Sequence, residues 1–152
     1  MKKNRDEKPF YISSKTMEKK DPGKAREDLE NSLERMGVDC IDFHHVWCVL
    51  TLEDYYNRKK NGIIKEFEKF KAEGLIKNIV VSTHLTGTDV GKMLKDYPFE
   101  GVLLGYSAAN FAYREEGINT AGQLGRGVVC MNPLNGGLIP RHPEKFQFFK
   151  TR

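Results

Sequence analysis

The sequence has no long apolar run. None of its hydrophobic stretches approaches the about 20 residues that a membrane-spanning helix needs, and no apolar segment follows the basic residues at the start. This composition argues against a membrane protein and against a cleaved secretory signal. We therefore predict a cytoplasmic protein that does not bind membranes.

Cysteine is also scarce, with three residues at Cys40, Cys48 and Cys130. An odd number of widely spaced cysteines does not make a disulfide framework. Two of the three lie within apolar, strand-like runs, which is typical of reduced, buried thiols.

A large excess of charge of one sign is missing as well. The chain has 25 basic and 21 acidic residues, a net charge of +4, and the two signs alternate along it. The densest basic block, residues 1–8, is diluted by Asp6 and Glu7. This pattern is typical of solvated helix faces, and we predict no nucleic-acid partner.

Apolar, strand-like segments alternate with amphipathic helices along the 152 residues. We predict five strands and four helices in one domain, residues 1–152, without repeats or internal linkers. Strict alternation of this kind predicts a parallel α/β sheet, because parallel neighbours need a crossover helix. The predicted strands are 9–14, 38–48, 75–82, 101–106 and 127–131; the helices are 22–36, 63–74, 88–96 and 117–124; residues 49–60 are a loop or a short helix; and 143–149 can form a closing helix.

The chain is organised around residues 37–48, GVDCIDFHHVWC. Gly37 can end the preceding helix in the left-handed conformation, and the strand that follows brings His44, His45, Trp47 and Cys48 towards its carboxyl end. Parallel α/β folds place their chemistry at that end.

Four strings, SSKT, SLERMGVDCIDF, KAEGLIKNIVVSTH and GVVCMNPLNGG, occur in this order along the chain. Together they resemble the aldo/keto reductase family, and most closely its bacterial branch related to iron–sulfur-containing members. The resemblance implies a (β/α)₈ barrel and NAD(P)H-dependent reduction of carbonyls. It also implies that this chain is a partial TIM barrel, about strands three to seven. The family's catalytic Tyr and its Asp partner would then lie in the missing N-terminal part.

The resemblance assigns two catalytic positions. Lys15 matches the family's catalytic Lys, whose charge favours the phenolate form of the Tyr. The family's active-site His falls on Trp47. An indole has one donor and no basic nitrogen, so it does not reproduce an imidazole that polarises a carbonyl.

The resemblance also assigns four cofactor-binding positions. Ser82 and Thr83 match the Ser and Asn that hold the nicotinamide carboxamide. Leu103 falls at a Gln, and Met131 at the aromatic residue that stacks on nicotinamide. Binding of NADP or NAD is therefore expected to be weak or absent. The C-x-x-C runs of an iron–sulfur domain are missing, so no iron–sulfur cluster is expected.

Simpler interpretations stand beside these. Lys15 can be a solvated residue at a strand end, Trp47 a core-filling aromatic, and Ser82–His84 a helix cap. Asn135–Gly137 makes either a phosphate-binding loop or a plain turn. His44, His45 and Cys48 have spacings that a metal can use, but neighbours on a strand point to opposite faces, so we predict no metal site.

The leading functional hypothesis is a truncated aldo/keto reductase-like oxidoreductase that is weakly active or inactive as an isolated chain. The alternative is a non-catalytic scaffold or interaction module. The alternative leads to the expectation of a homo-oligomer, or of a partner chain that completes the barrel, because an open parallel sheet leaves two edges exposed.

Overall fold

The computed structural model describes residues 10–151. The strands are β1 (Ser13–Thr16), β2 (Ile41–Val49), β3 (Ile76–Thr83), β4 (Gly101–Gly105) and β5 (Gly127–Met131). The helices are α1 (Pro22–Met36), α2 (Leu52–Lys60), α3 (Ile63–Ala72), α4 (Gly87–Asp96), α5 (Glu115–Gln123) and the short α6 (Leu138–Arg141).

The five strands form one sheet in the order β1-β2-β3-β4-β5, and every neighbouring pair is parallel. Spatial order therefore equals chain order. A doubly wound sheet reverses its strand order at a switch point, whereas a barrel adds each strand beside the preceding one. The prediction of five parallel strands alternating with helices is confirmed.

Local signals set the bounds of α1. The Asp21 side chain accepts hydrogen bonds from the backbone N–H groups of Gly23 and Lys24, and Pro22 occupies the first turn. Gly37 ends the helix at φ 61° and ψ 46°, a conformation that costs glycine little because it has no Cβ. The buried face of this helix carries Ala25, Leu29 and Leu33.

One face of the sheet packs on the helices and forms the core. His44 on β2 stacks against Phe67 and Phe70 of α3, at ring-centroid distances of 5.1 and 6.4 Å. The same face carries other buried strand side chains: Val46, Ile79, Val81, Val102 and Leu104. Because side chains alternate across a strand, Phe43, His45 and Trp47 of β2 face away from the helices.

The connection from β2 to β3 contains two helices. Residues 49–60, expected to be a loop or a short helix, contain α2, whose N-cap Thr51 accepts a hydrogen bond from the N–H of Asp54. Five helices rather than four therefore lie between the strands. The first strand also differs from its predicted bounds, since it begins at Ser13, and Pro9 lies outside the described residues.

The segment after β5 consists of short turns. Residues Asn135–Gly137 form a 3₁₀ turn in which Gly136 N–H donates to the Asn132 side chain at 2.6 Å, so the plain-turn interpretation fits the observed geometry. Instead of the predicted α-helix, Pro143–Thr151 is a 3₁₀ segment interrupted at Phe146.

The cysteines differ from expectation. Cys40 and Cys48 are half-buried, and Cys130 is exposed on the edge strand β5. The prediction of a buried thiol is therefore wrong for Cys130, because within the described residues no strand follows β5 in the sheet and no helix covers this position. None of the helices described is long and apolar enough to cross a bilayer.

Candidate functional site

The helix-free face of the sheet is hollow at the carboxyl ends of the strands. A cavity of about 550 Å³ lies there, and its lining comes from all five strands and from the loop that follows β3. It is lined by Ser13, Ser14, Lys15, His45, Trp47, Cys48, Ser82, His84, Leu103 and Met131. A second, apolar cavity of about 280 Å³ adjoins it and shares Ser13, His45 and Leu103 with it.

Five of the six residues expected at the site line the large cavity: Lys15, Trp47, Ser82, Leu103 and Met131. The strand register explains this arrangement. Ser82 pairs with Leu103 across β3 and β4, and Gly105 pairs with Met131 across β4 and β5. Residues far apart in the chain therefore reach one hollow because parallel strands end at the same edge.

Thr83 is the exception. Its side chain is fully buried on the helix side, where its hydroxyl donates to the Val49 carbonyl at 2.8 Å and accepts from Leu85 N–H at 3.1 Å. The hydroxyl has already donated its only proton. The structure does not bring Thr83 into the cavity, whereas the neighbouring Ser82 lines it.

Lys15 and Trp47 form a pair within the cavity. The Lys15 Nζ atom lies 5.1 Å from the centroid of the indole ring, a cation–π distance. In the described part of the chain, no carboxylate lies within ion-pair distance of Lys15. The cavity therefore presents an ammonium charge beside a planar aromatic surface.

His45 lines both cavities and faces Lys15's strand. Its Nε2 atom lies 2.9 Å from the Ser13 hydroxyl, and its buried Nδ1 atom has no hydrogen-bond partner among the described residues. Burial, followed by the nearby charge of Lys15, lowers the pKa of His45 to about 4. The imidazole is therefore neutral at pH 7: it accepts a further proton poorly, and its one remaining N–H is too weakly acidic to serve as a general acid.

His44 and His45 point to opposite faces of β2, as the alternation of side chains predicts. The described residues contain no group of three His, Cys, Asp or Glu side chains that could hold a metal ion.

A β-bulge shapes the strand end that carries Trp47. Val46 pairs with Val81, but the next pair is Val49 with Thr83, so β2 has one residue more than β3 at this point. Cys48 adopts φ 55°, which is uncommon for a residue with a side chain. Bulges of this kind redirect side chains next to functional sites.

Arg58 on α2 contacts the bulge, and the sequence alone did not single it out. The side chain is 1 % exposed, and its guanidinium donates to the carbonyls of Trp47 and Cys48. The available signal was the i,i+4 spacing of Asp54 and Arg58, which form an ion pair at 2.7 Å. Ser13 was also missed as a partner of His45.

These features define a class of protein. An all-parallel sheet in chain order, helices on one face and a cavity at the carboxyl ends of the strands are the features of a β/α barrel. A sequence profile described as the Aldo/keto reductase family matches residues 1–150. The chain belongs to the aldo/keto reductase family.

Solved structures show the same fold. The holo form of the aldo-keto reductase AKR11C1 from Bacillus halodurans superposes with a TM-score of 0.73 at 22% identity, over 88% of this chain and 44% of that one. An aldo/keto reductase from Brucella melitensis gives 0.65 at 16% identity, over 88% and 54%. The Bombyx mori aldo-keto reductase in complex with NADP gives 0.62 at 16%, over 81% and 41%.

The chain thus spans about half the length of these structures. The partial-barrel prediction is confirmed, because most of this chain, with its five parallel strands, superposes on about half of each of these structures.

Proposed function

We propose that this chain carries the nicotinamide-facing part of an NAD(P)H-dependent carbonyl reductase site, and that the isolated chain reduces carbonyls weakly or not at all. The observation that carries the proposal is the cavity, in which Lys15, Ser82, Leu103 and Met131 lie together with Trp47. NADP in the Bombyx mori relative supports the choice of cofactor.

The residues present suit only part of a nicotinamide site. Ser82 supplies a polar side chain for a carboxamide, and Leu103 and Met131 supply an apolar surface for a ring. The hydroxyl of Thr83 is already bonded to Val49 and Leu85. When bound, the cofactor supplies the hydride, whereas this chain's own residues bind and orient the ring.

The weak point is the proton that the reduced oxygen must receive. No tyrosine and no carboxylic acid lines the cavity within the described residues. His45 is neutral at pH 7, because its pKa is about 4, and Trp47 has only an indole N–H. Loss of a general acid typically costs about 100- to 10,000-fold in rate. Among the described residues that line the cavity, Lys15 is the one cation that can stabilise a developing oxyanion.

The test is a titration of the purified chain with NADPH. Trp47 is the only tryptophan, so quenching of its emission reports binding in this cavity. We expect saturable binding in the micromolar to millimolar range, weakened by Ser82→Ala. Cys130→Ser is the matched control, because Cys130 is exposed and does not line the cavity. The absence of binding up to millimolar NADPH would overturn the proposal.

A second candidate function is an interaction module, and the exposed edge of the sheet favours it. Val129 on β5 is 60% exposed, and Leu134 and Leu138 beyond it are 57% and 42% exposed. Apolar edge strands promote association. We propose a homo-oligomer, or a partner chain that completes the barrel. Light scattering that gives the molar mass of a monomer at high concentration, with the same mass for wild type and Val129→Lys, would contradict this.

A further inference from the structure

We propose that Arg58 is a positioning residue for the cavity: it holds the Trp47–Cys48 segment in its bulged conformation and thereby sets the orientation of the indole against Lys15. An effect of Arg58 on the affinity for NADPH would rest on the proposed function. An effect of Arg58 on the orientation of the Trp47 indole would not, so the two effects can be tested separately.

The contacts of Arg58 converge on one short segment. Nη1 donates to the Trp47 carbonyl at 2.6 Å, and Nη2 donates to the Cys48 carbonyl at 3.2 Å. The other side of the guanidinium meets Asp54, with Nε at 3.0 Å from Oδ1 and Nη2 at 2.7 Å from Oδ2. One buried cation therefore connects α2 to two consecutive carbonyls of β2.

An arginine is suited to this position. The two carbonyls belong to a bulge in which Cys48 has φ 55°, and such backbone persists only when its surroundings hold it. A planar guanidinium donates in several fixed directions at once, whereas an ammonium behaves as a point charge. A lysine at this position would not reproduce the hydrogen bonds that the guanidinium makes at once to the two carbonyls and to Asp54.

Asp54 keeps the guanidinium in place. Burial by itself would raise the pKa of Asp54, but the hydrogen bonds and charge of Arg58, and then the charge of Lys19, lower it below its ordinary value. The carboxylate is thus ionised at neutral pH. Lys19 Nζ lies 3.5 Å from the Asp54 carboxylate, so a residue in the β1–α1 connection contributes to the same network.

The network acts on the cavity through the backbone. The Trp47 carbonyl accepts from Arg58, and the Trp47 side chain lines the cavity, where Lys15 Nζ lies 5.1 Å from its ring. Rotation of this peptide changes the direction of the Cα–Cβ bond. A role limited to stability would leave the indole environment unchanged for as long as the protein stays folded.

The experiment compares Arg58→Met with Arg26→Met. Arg26 is also an ion-paired arginine, to Glu66 and Glu73 at 2.7 Å each, but it does not line the cavity. The readouts are the emission maximum of Trp47, its quenching by acrylamide, and the NMR resonance of its indole N–H, measured without cofactor. We expect Arg58→Met to shift all three, and Arg26→Met to leave them at the wild-type values.

A double-mutant cycle with Lys15 makes the test specific. Lys15→Met should shift the Trp47 emission in the wild-type background, and this shift should be lost in Arg58→Met. If Arg58→Met does not fold, Asp54→Asn removes the anchor of the guanidinium and should give the same shifts in smaller size. Unchanged indole readouts in a folded Arg58 or Asp54 variant, or an undiminished Lys15→Met effect, would overturn the proposal.

A separate arm measures NADPH affinity. Weaker binding in Arg58→Met than in Arg26→Met supports a role of Arg58 in the proposed function, whereas equal binding in the two variants overturns that role. If the wild-type chain binds no NADPH, the proposed function fails, and the indole readouts still decide whether Arg58 positions Trp47.

Discussion

Replacement of His44 by leucine should make the protein more stable, and increasingly so as the pH falls. The His44 side chain is fully buried against Phe67 and Phe70, and neither ring nitrogen has a hydrogen-bond partner among the described residues. Burial, and secondly the charge of His45, lowers the pKa of His44 from 6.5 to about 4. The folded protein therefore holds this imidazole neutral at physiological pH.

The sign of the pH dependence follows from proton binding. Between pH 6.5 and about 4 the unfolded chain binds a proton at His44 that the folded chain does not, so the free energy of unfolding falls as the pH falls. Above pH 6.5 the ring is mostly neutral in both the folded and the unfolded chain, so the titration of His44 takes almost nothing from the free energy of unfolding. At about 1.4 kcal/mol per pKa unit, about 3 kcal/mol is lost by pH 4, of which about 2 kcal/mol is already lost at pH 5.

Urea unfolding at pH 7, 6 and 5 measures this effect. At pH 7, His44→Leu should raise the free energy of unfolding by about 1–2 kcal/mol, because it removes two unsatisfied polar atoms from the core. The advantage over wild type should grow by about 2 kcal/mol at pH 5.

Phe67→Leu is the control for this series. The Phe67 side chain contacts His44 but does not titrate, so Phe67→Leu should lower the free energy of unfolding by a similar amount at every pH. An equal pH dependence in wild type and His44→Leu would refute the reasoning, because it would show that the folded protein accommodates the charged ring.

Two further predictions concern packing and a buried hydroxyl. A Cβ at Gly117 would lie 2.9 Å from Val90 Cβ and 3.0 Å from the Gly87 carbonyl, so Gly117→Ala should destabilise the α4–α5 contact by about 1–3 kcal/mol in urea unfolding. Gly122→Ala on the same helix has no heavy atom within 4 Å and should be stabilising, by up to about 1 kcal/mol; equal effects would contradict the packing argument. Tyr55→Phe removes the hydrogen bond from the buried Tyr55 hydroxyl to Asp96 and should lower the thermal midpoint by an amount equivalent to about 1 kcal/mol, whereas the same change at the exposed Tyr56 should not.

Much of the fold could be predicted because its signals are local. Asp21 and Pro22 mark the start of α1 and Gly37 marks its end, and all three act through their own backbone neighbours. The apolar residues Ile63, Ile64, Phe67 and Phe70 likewise recur at helical spacing and form the buried face of α3. In these segments residue type and local geometry agree, so the predicted bounds were close.

The end of β2 shows the limit of such signals. The strand was expected to finish at Cys48, but a bulge extends it to Val49. The positive φ of Cys48 could not be predicted from its residue type, because cysteine has no preference for this conformation. The bulge depends on Arg58, which lies on another element and binds main-chain carbonyls rather than side chains, so periodicity alone did not identify its role.

The candidate site was predictable in position more than in detail. Family resemblance pointed to Lys15, Trp47, Ser82, Leu103 and Met131, which line one cavity. For Thr83 the alternation of side chains along β3 decides the outcome. Ser82 faces the cavity, so the next residue faces the helices, where its hydroxyl donates to the Val49 carbonyl.

The strand order has a consequence for assembly and engineering. Each strand pairs only with the strands before and after it in the chain, so every β/α unit depends mainly on its immediate neighbours, as in a repeat protein. Among the described residues no strand pairs with the outer edge of β1 or of β5, so further β/α units can be added there without changing the existing strand connections. These two edges are natural junctions at which β/α units from another member of the family could be fused to build a chimeric barrel.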